Sequence, residues 1–311
     1  MYILFFYNIY IYKNIVITNV MNVMNVIVER KYTILSKLGQ GSFGTIYKGI
    51  NNLTQSKVAI KIEYNPPDCI LTHEAKIYKY LEGKDGIPRL LSFGKEGLFH
   101  YMIMDLFDES LEVMKRKSNG KLSLNTVLNI FYQALERLET IHTLGIVHRD
   151  IKPDNFIVDR STTKIYMIDF GLSKRFLDVN EKIIPLSTGH NITGSVRYSS
   201  IHVHSGMVGT RRDDLESLGY MILYLWLGRL PWQGITHESQ TIRYECIGRY
   251  KTTHTLVDLF PSAPTECIDY LNYCRRLSFD EKPDYEYIRS MFYPLYKQHH
   301  CSENHYDWIK Q

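Results

Sequence analysis

His148-Arg149-Asp150-Ile151-Lys152-Pro153-Asp154-Asn155 is the stretch that decides which fold the rest of the chain forms. Phosphoryl transfer needs a carboxylate that orients and deprotonates the attacking hydroxyl. It also needs a cation that screens the moving charge, and an oxygen ligand for a metal bound to the phosphates. Asp150, Lys152 and Asn155 supply these three groups in that order. The stretch therefore predicts the catalytic loop of a phosphotransferase.

A second motif downstream strengthens this interpretation. Asp169-Phe170-Gly171 follows a short apolar run, residues 165–168, which we predict to be a strand. That strand would deliver the Asp169 carboxylate as a metal ligand beside Asn155, the ion being magnesium. Either motif alone would be weak evidence, but both in this order and spacing argue against an ordinary charged loop and an ordinary turn.

Length and composition indicate a globular chain. The 311 residues suggest about two domains, and the hydrophobic fraction of 44% is enough for a sizeable core. The net charge of +4 is mild and its lysines and arginines are dispersed, so we expect no nucleic-acid partner. Five cysteines, an odd number without paired zinc spacing, predict neither a disulfide framework nor a metal knuckle. A reducing location, cytoplasmic and/or nuclear, fits.

Residues 1–28 form an apolar extension that allows three interpretations. A membrane anchor needs about 20 apolar residues, and Lys13 near the centre of a span would cost on the order of 3 kcal/mol. A signal peptide would carry its charge before the apolar run and small residues at a cleavage site. We expect a dispensable extension instead, with Met21 or Met24 as possible starts of a shorter chain. The folded pattern begins near Glu29.

Two predicted strands, residues 32–38 and 45–50, flank a glycine-rich turn at residues 39–44. Glycines without Cβ atoms let a backbone lie against phosphates and present its amides. The same spacing also occurs in dinucleotide-binding folds, but there a helix follows the turn. Here a strand follows, which favours a phosphate-covering hairpin.

Taken in order, these motifs resemble those of the protein kinases. In that pattern the lysine of Val58-Ala59-Ile60-Lys61 contacts the α- and β-phosphates and is held by a glutamate on the next helix. Glu74 stands where this helix begins. The resemblance thus implies a catalytic pair of Lys61 and Glu74.

The resemblance also implies where ATP binds. Residues 90–93 and 98–104 read as two more strands, and residues 105–108 as the link between lobes. A purine needs backbone donors and acceptors at one edge and apolar walls on its faces. The implied nucleotide-binding residues are Leu38, Gly39, Gly41, Ser42, Gly44, Ile46, Ala59, Lys61, Met104, Asp105, Leu106, Phe107, Ile157 and Asp169.

The second half of the chain is predicted to be mainly helical. Apolar residues recur at three and four over residues 123–144, which indicates a scaffold helix. The acidic pair Asp213 and Asp214 precedes another helix, where one buried carboxylate could brace the catalytic loop. We therefore predict an α+β, two-lobed fold with an N-lobe sheet and one helix at about 29–105 and a helical C-lobe at about 109–299. Residues 300–311 would be a short extension.

The sequence segments between the motifs resemble those of the casein kinase 1 family. The segments that show this resemblance are His73-Glu74-Ala75-Lys76-Ile77-Tyr78, Arg211-Arg212-Asp213-Asp214-Leu215-Glu216-Ser217-Leu218-Gly219-Tyr220, Leu230-Pro231-Trp232-Gln233-Gly234 and Phe279-Asp280-Glu281-Lys282-Pro283-Asp284-Tyr285. The likeness covers about residues 27–309. It implies a monomeric serine/threonine kinase that uses Mg-ATP and is active without activation-loop phosphorylation. Because almost nothing follows Trp308, we expect the long regulatory tail of some relatives to be missing. Lys152 is similar to the serine/threonine class.

In that family, an anion pocket beside the active site binds an acidic or phosphorylated residue of the protein substrate. The matching positions here are Arg197, Gln233, Gly234 and Arg243. The alternative interpretation is that these residues bind no anion. In that case Arg197 only packs the activation segment, and Arg243 is a solvated helix residue. The basic residues that relatives carry around Arg243 are missing.

Other positions depart from the family pattern, and two other functional classes stay open. Asp108 and Glu109 replace a Gly-Pro, and Val113 replaces an acidic residue near the ribose, so nucleotide affinity is expected to differ. A pseudokinase would be a binding module, but it typically loses a lysine or aspartate that this chain retains. A small-molecule kinase would share the nucleotide chemistry and differ in its acceptor.

Overall fold

The computed structural model describes residues 23–41, 44–64, 70–299 and 305–309. These form two compact units. The first holds the described residues up to 64 together with 91–106, and the second holds 70–90 and the described residues from 107 onward. Among the described residues, no helix is both long and apolar enough to cross a membrane. The membrane and signal-peptide interpretations fall mostly on residues 1–22, which lie outside the described part.

The first unit is built on a six-stranded sheet in the order β1-β2-β3-β4-β6-β5. The strands are β1 Ile27–Val28, β2 Tyr32–Gly41, β3 Gly44–Asn51, β4 Lys57–Tyr64, β5 Leu90–Glu96 and β6 Phe99–Asp105. Alternating apolar residues along the strands place one face in the core. That core contains Val23, Val28, Tyr32, Ile34, Tyr47, Val58, Ile60, Ile62, Tyr101 and Ile103.

The sheet begins before the predicted boundary near Glu29. Val28 is fully buried and β1 pairs antiparallel with β2. Val23 also lies in the core, and the Asn25 amide donates to the Ile34 carbonyl over 2.9 Å. Burial explains the apolar residues Val23 and Val28, which composition alone assigned to the extension, whereas Met24 and Ile27 are exposed.

The second unit consists mostly of helices. These are α1 Ile70–Tyr80, α2 Leu111–Lys117, α3 Leu124–Thr143, α4 Ile201–His204, α5 Arg211–Leu227, α6 Gln240–Thr253, α7 Leu256–Leu259, α8 Thr265–Arg276 and α9 Tyr285–Gln298. In the described part of this unit, short strands accompany them: β7 Glu109–Ser110, β8 Ile146–Val147, β9 Phe156–Asp159, β10 Lys164–Met167 and β11 Lys174–Arg175. The scaffold helix α3 packs its apolar stripe against α5.

The α+β architecture predicted from the sequence is confirmed: an N-terminal antiparallel sheet with a helix, followed by a helical part. Helix α1 contacts other parts of the second unit. The Tyr78 ring meets the Phe170 ring edge-on at 5.1 Å, and His73 Nε2 donates to the Ser173 carbonyl over 2.8 Å. Helix α1 is therefore anchored on the Asp169-Phe170-Gly171 turn.

Candidate active site

The catalytic loop begins at a backbone that one buried carboxylate fixes. The Asp214 side chain, near the start of α5, accepts the His148 amide over 2.7 Å and the Arg149 amide over 2.8 Å. Arg149 has a positive φ of 67°, a conformation that costs a non-glycine residue free energy and must be held by its surroundings. Of the two acidic residues considered from sequence, Asp214 braces the loop. Asp213 instead accepts the Thr210 amide and the Ser200 hydroxyl at the start of α5.

Behind Asp214 lies a buried histidine that sequence reasoning did not select. His142 Nε2 donates to Asp214 over 3.0 Å, and its Nδ1 accepts the Tyr285 hydroxyl at 2.6 Å. Burial lowers the pKa of His142, which outweighs the opposing effect of Asp214, so this imidazole is neutral. Burial would raise the pKa of Asp214, but hydrogen bonds from His142 and the His148 backbone leave it below its usual value. Asp214 is therefore a charged carboxylate, and the histidine that hydrogen-bonds to it, His142, is neutral.

The Asp150 carboxylate is held from both sides. Its Oδ1 accepts the Ser195 amide over 2.8 Å, and its Oδ2 accepts Lys152 Nζ over 2.5 Å and Asn155 Nδ2 over 3.2 Å. Only 6% of Asp150 is exposed. The structure therefore brings the three catalytic-loop residues predicted from the sequence into direct contact.

The two predicted metal ligands are oriented by hydrogen bonds. Asn155 uses its Nδ2 to bond the Asp150 carbonyl at 2.8 Å, which turns its Oδ1 into the acceptor left for a ligand. The Ile168 amide donates to the Asn155 carbonyl over 2.9 Å, joining the residue before Asp169 to Asn155. Asp169 itself has a φ of 65°, and its amide donates to the Tyr78 hydroxyl over 3.1 Å. A carboxylate and an amide oxygen are hard ligands that suit Mg²⁺, with phosphates and water completing its shell.

Glu74 and Lys61 belong to different units, and each is described by itself. Glu74 is on α1 and is 1% exposed; Lys61 is on β4 and is 7% exposed. Buried charged residues are rare unless they are paired, which agrees with the predicted functional role of both. Their pairing with one another stays a prediction.

Strand register in the first unit gathers four predicted nucleotide-binding residues on one sheet face. Lys61 is opposite Ile46 in β3, and Ala59 is opposite Met104 in β6. Residues two apart in a strand point the same way, and directly opposed residues share a face. Ile46, Lys61, Ala59 and Met104 are therefore neighbours on the same side of the sheet.

The glycine-rich turn is the β2–β3 hairpin, in which Gly41 is opposite Gly44. Gly44 has a φ of 148°, and a Cβ there would lie 2.4 Å from the Ile62 carbonyl oxygen, so only glycine fits. A Cβ at Gly39 would meet nothing within 4 Å. Leu38 is half exposed, which leaves its side chain available to a ligand. The prediction for Ser42 falls outside the described residues.

The remaining predicted nucleotide-binding residues belong to the link after β6 and to β9. Asp105 ends β6 and is followed by Leu106; both are half-buried. In the second unit, the Phe107 ring stacks on the Tyr166 ring at 3.7 Å, and Ile157 is half-buried in β9. Asp108 and Glu109, which depart from the family pattern, have structural partners: Asp108 accepts the Arg160 amide, and Glu109 pairs with Lys117 at 2.6 Å.

The predicted anion-site residues are partly brought together. The Arg197 carbonyl accepts Trp232 Nε1 over 2.8 Å, which ties it to the turn that carries Gln233 and Gly234. Gln233 Oε1 accepts the Leu230 amide over 2.6 Å, so its amide nitrogen is the group that remains for a ligand. The Arg197 guanidinium lies over the rings of Tyr198 and Tyr224, and Arg243 lies over Tyr244.

Lys251 is the second residue that sequence reasoning missed. It is fully buried and donates to the carbonyls of Val196, Arg197 and Ser199 over 3.2, 3.2 and 2.6 Å. Its only sequence signal is a lysine near the end of a helix, where a solvated position is the usual interpretation. In the structure it anchors the backbone that presents Arg197.

Residues 32–291 match the family model described as protein kinase domain. The match contains the glycine-rich hairpin, the catalytic loop, the Asp169 turn and the segment that carries Arg197.

Proposed function

The chain belongs to the protein kinase family, and on that premise we propose that it is a serine/threonine kinase of casein kinase 1 type. It would transfer the γ-phosphoryl group of Mg-ATP to protein substrates that are acidic or already phosphorylated. The observation that carries the proposal is the three-residue contact of Asp150, Lys152 and Asn155. The position of Lys152, two residues after Asp150, resembles the pattern of serine/threonine kinases.

In this proposal, Asp150 orients the acceptor hydroxyl and takes its proton. A carboxylate can do this only if it is held still, and the Ser195 amide fixes Oδ1 while Lys152 and Asn155 fix Oδ2. Lys152 also places a positive charge beside the transferred group. Asn155 and Asp169 would hold Mg²⁺, which supplies charge neutralisation at the phosphates when bound.

The acidic preference rests on Arg197, whose side chain is exposed while its backbone is anchored. A guanidinium makes charge-assisted hydrogen bonds to phosphate oxygens that are about twice as strong as neutral ones. Gln233 adds an amide donor on the turn tied to Arg197. A phosphoserine in the substrate should therefore bind better than aspartate.

The proposal is tested with purified full-length chain, Mg-ATP and a peptide panel. The panel has serine, threonine or tyrosine acceptors, with alanine, aspartate or phosphoserine three residues before the acceptor. We expect serine and threonine peptides to react, and kcat/KM to be about tenfold higher for primed than for unprimed peptides. Arg197→Ala with Arg243→Ala should remove most of this ratio, and added sulfate should weaken it.

Three results would contradict the proposal at different levels. Equal kcat/KM for primed and unprimed peptides would exclude the substrate preference. Reaction of tyrosine peptides alone would exclude the serine/threonine class. Phosphorylation of sugars or aminoglycosides without phosphorylation of casein would identify a small-molecule kinase.

A further inference from the structure

Two cations share one aromatic ring beside the catalytic loop. Lys115 Nζ lies 4.0 Å from the centre of the Tyr224 ring, and the Arg197 guanidinium carbon lies 5.5 Å from the same centre. Cation–π contacts of this kind stabilise a positive charge without using its hydrogen-bond donors. We call Glu112, Lys115, Arg197 and Tyr224 the Tyr224 cluster.

The cluster has more positive than negative charge. Its carboxylate, Glu112, accepts the Tyr224 hydroxyl over 3.1 Å, and its other oxygen is buried without a hydrogen-bond partner among the described residues. Within the cluster, two cations and one anion leave an excess of one positive charge, which Asp154 on the neighbouring turn offsets in part. An anionic ligand would therefore be attracted to this place.

The ammonium of Lys115 is the unexplained group in the cluster. Lys115 is 5% exposed, and in the described part of the chain its Nζ forms no hydrogen bond. An ammonium carries three donors, and those of Lys115 meet no acceptor among the described residues. Burial lowers the pKa of Lys115; Glu112 opposes this shift and Arg197 adds to it. An added anion would satisfy these donors and offset the repulsion by Arg197.

The cluster also lies beside the catalytic loop. Helix α2, which carries Lys115, packs against the Pro153–Asn155 turn of the catalytic loop. Asp154 in that turn is close enough to Tyr224 to contribute to its raised pKa. A substrate residue near the acceptor is therefore within reach of the cluster.

We propose that Lys115 is a specificity-determining residue that acts with Arg197 to bind an acidic or phosphorylated side chain of the substrate peptide. This inference rests on the proposed function and makes it more specific. It assigns the second cation of the anion site to Lys115 on α2, whereas the family resemblance assigns it to Arg243 on α6. Arg243 lies over the ring of its neighbour Tyr244 at 5.4 Å, and none of its described contacts is with Arg197.

The test compares Lys115→Met, Lys115→Arg, Arg243→Met and Lys117→Met on the phosphoserine and alanine peptides. Lys117 is the matched control, because it lies on the same helix, is exposed and pairs with Glu109. We expect the primed-to-unprimed ratio of kcat/KM to fall about fivefold or more in Lys115→Met, mainly through KM. It should stay near the parent value in Lys115→Arg and Lys117→Met.

The inference is overturned if Lys115→Met keeps the parent ratio, if it lowers both rates by the same factor, or if Arg243→Met alone removes the ratio. Binding of the same peptides, labelled and followed by fluorescence anisotropy, gives a readout independent of turnover. A parent chain that phosphorylates no peptide would refute the proposed function. Loss of the phosphoserine preference in binding by Lys115→Met would still support the site, and an unchanged preference would refute it.

Discussion

At the scale of single residues, the candidate site depends on carboxylates whose orientation is set by backbone amides. Asp150 and Asp214 each accept such amides, and both are buried. Charge-assisted hydrogen bonds of this kind are strong and directional. Removing the charge of Asp150 should affect chemistry more than folding, whereas Asp214 also holds the strained backbone of Arg149.

Asp150→Asn is the most direct test of the catalytic assignment. The amide keeps the size of the carboxylate but cannot accept the hydroxyl proton, so turnover should fall about 100-fold or more. ATP binding and the melting temperature should change little. Casein phosphorylation at the parent rate would show that Asp150 is not the base.

Asp169→Asn tests the metal-ligand role separately from the role of Asp150 as the base. Replacing the carboxylate with a neutral amide should weaken Mg²⁺ binding, so the magnesium concentration at half-maximal activity should rise by about tenfold or more. Nucleotide binding measured with and without Mg²⁺ provides a readout besides activity. Identical magnesium dependence in parent and variant would contradict the metal-ligand role.

The pKa shifts of His204 and Asp213 should have opposite effects on the stability of the fold in acid. Burial, together with the nearby Lys251 ammonium, lowers the pKa of His204 to about 3, while burial raises the pKa of Asp213 to about 6. The unfolded chain protonates His204 near pH 6.5, so its stabilising contribution is present above pH 6.5 and is lost as pH falls toward 3. Folded Asp213 takes up its proton below about pH 6, before the unfolded chain does near 3.8, so it stabilises the fold in acid.

The measurement is the free energy of unfolding by urea between pH 7 and pH 4. His204→Asn should make stability fall less steeply with acid than in the parent, by up to about 1.4 kcal/mol per pH unit. Asp213→Asn should make it fall more steeply below pH 6. Parallel curves for parent and His204→Asn would contradict the assignment.

At the scale of elements, a single glycine lets the segment that carries Arg197 approach the catalytic loop. Gly194 has a φ of 84°, and a Cβ there would lie 2.3 Å from the Arg149 carbonyl oxygen and 3.1 Å from Asp150 Oδ1. The next residue, Ser195, donates its amide to Asp150. The close approach and the hydrogen bond belong to the same turn.

Gly194→Ala should therefore push the segment off the loop and release one side of Asp150. We expect kcat to fall at least about tenfold and stability to fall by about 2 kcal/mol. Gly189→Ala is the matched control, because Gly189 has a similar φ of 80° with nothing within 4 Å of its Cβ. It should cost only the strain of the left-handed backbone, about 1 kcal/mol. Equal losses in both variants would show that the close contact is unimportant.

At the scale of the whole molecule, the apolar amino-terminal stretch divides into two parts. Residues 23–28 contribute to the core of the first unit, with Val28 fully buried in the sheet. We continue to predict that residues 1–22 are dispensable, because no motif precedes residue 29. The boundary between these two parts is therefore the feature to test.

Deletion of residues 1–22 should preserve activity and the melting temperature. Deletion of residues 1–28 should destabilise the fold by about 2 kcal/mol or more, because it removes Val23, Val28 and β1 from the core. Equal stability of the two truncated chains would contradict the role of β1. Full-length chain that partitions entirely into alkali-resistant membranes would favour the anchor interpretation.

Local sequence patterns predicted most of the long elements and the short motifs. The glycine-rich hairpin, the scaffold helix and the contact of Asp150 with Lys152 and Asn155 involve residues near one another in the chain. Local periodicity and turn chemistry suffice for these. The choice between Asp213 and Asp214, the burial of Lys251 and the start of the sheet before Glu29 were not determined this way.

The first two of these features depend on groups far apart in sequence, whereas β1 pairs with the neighbouring strand β2 within a few residues. Asp214 meets His148 across 66 positions, and Ser195 meets Asp150 across 45. A lysine such as Lys115 or Lys251 has the same local preferences whether it is solvated or buried. Its partners, and therefore its free energy and its role, are fixed when distant elements pack around it.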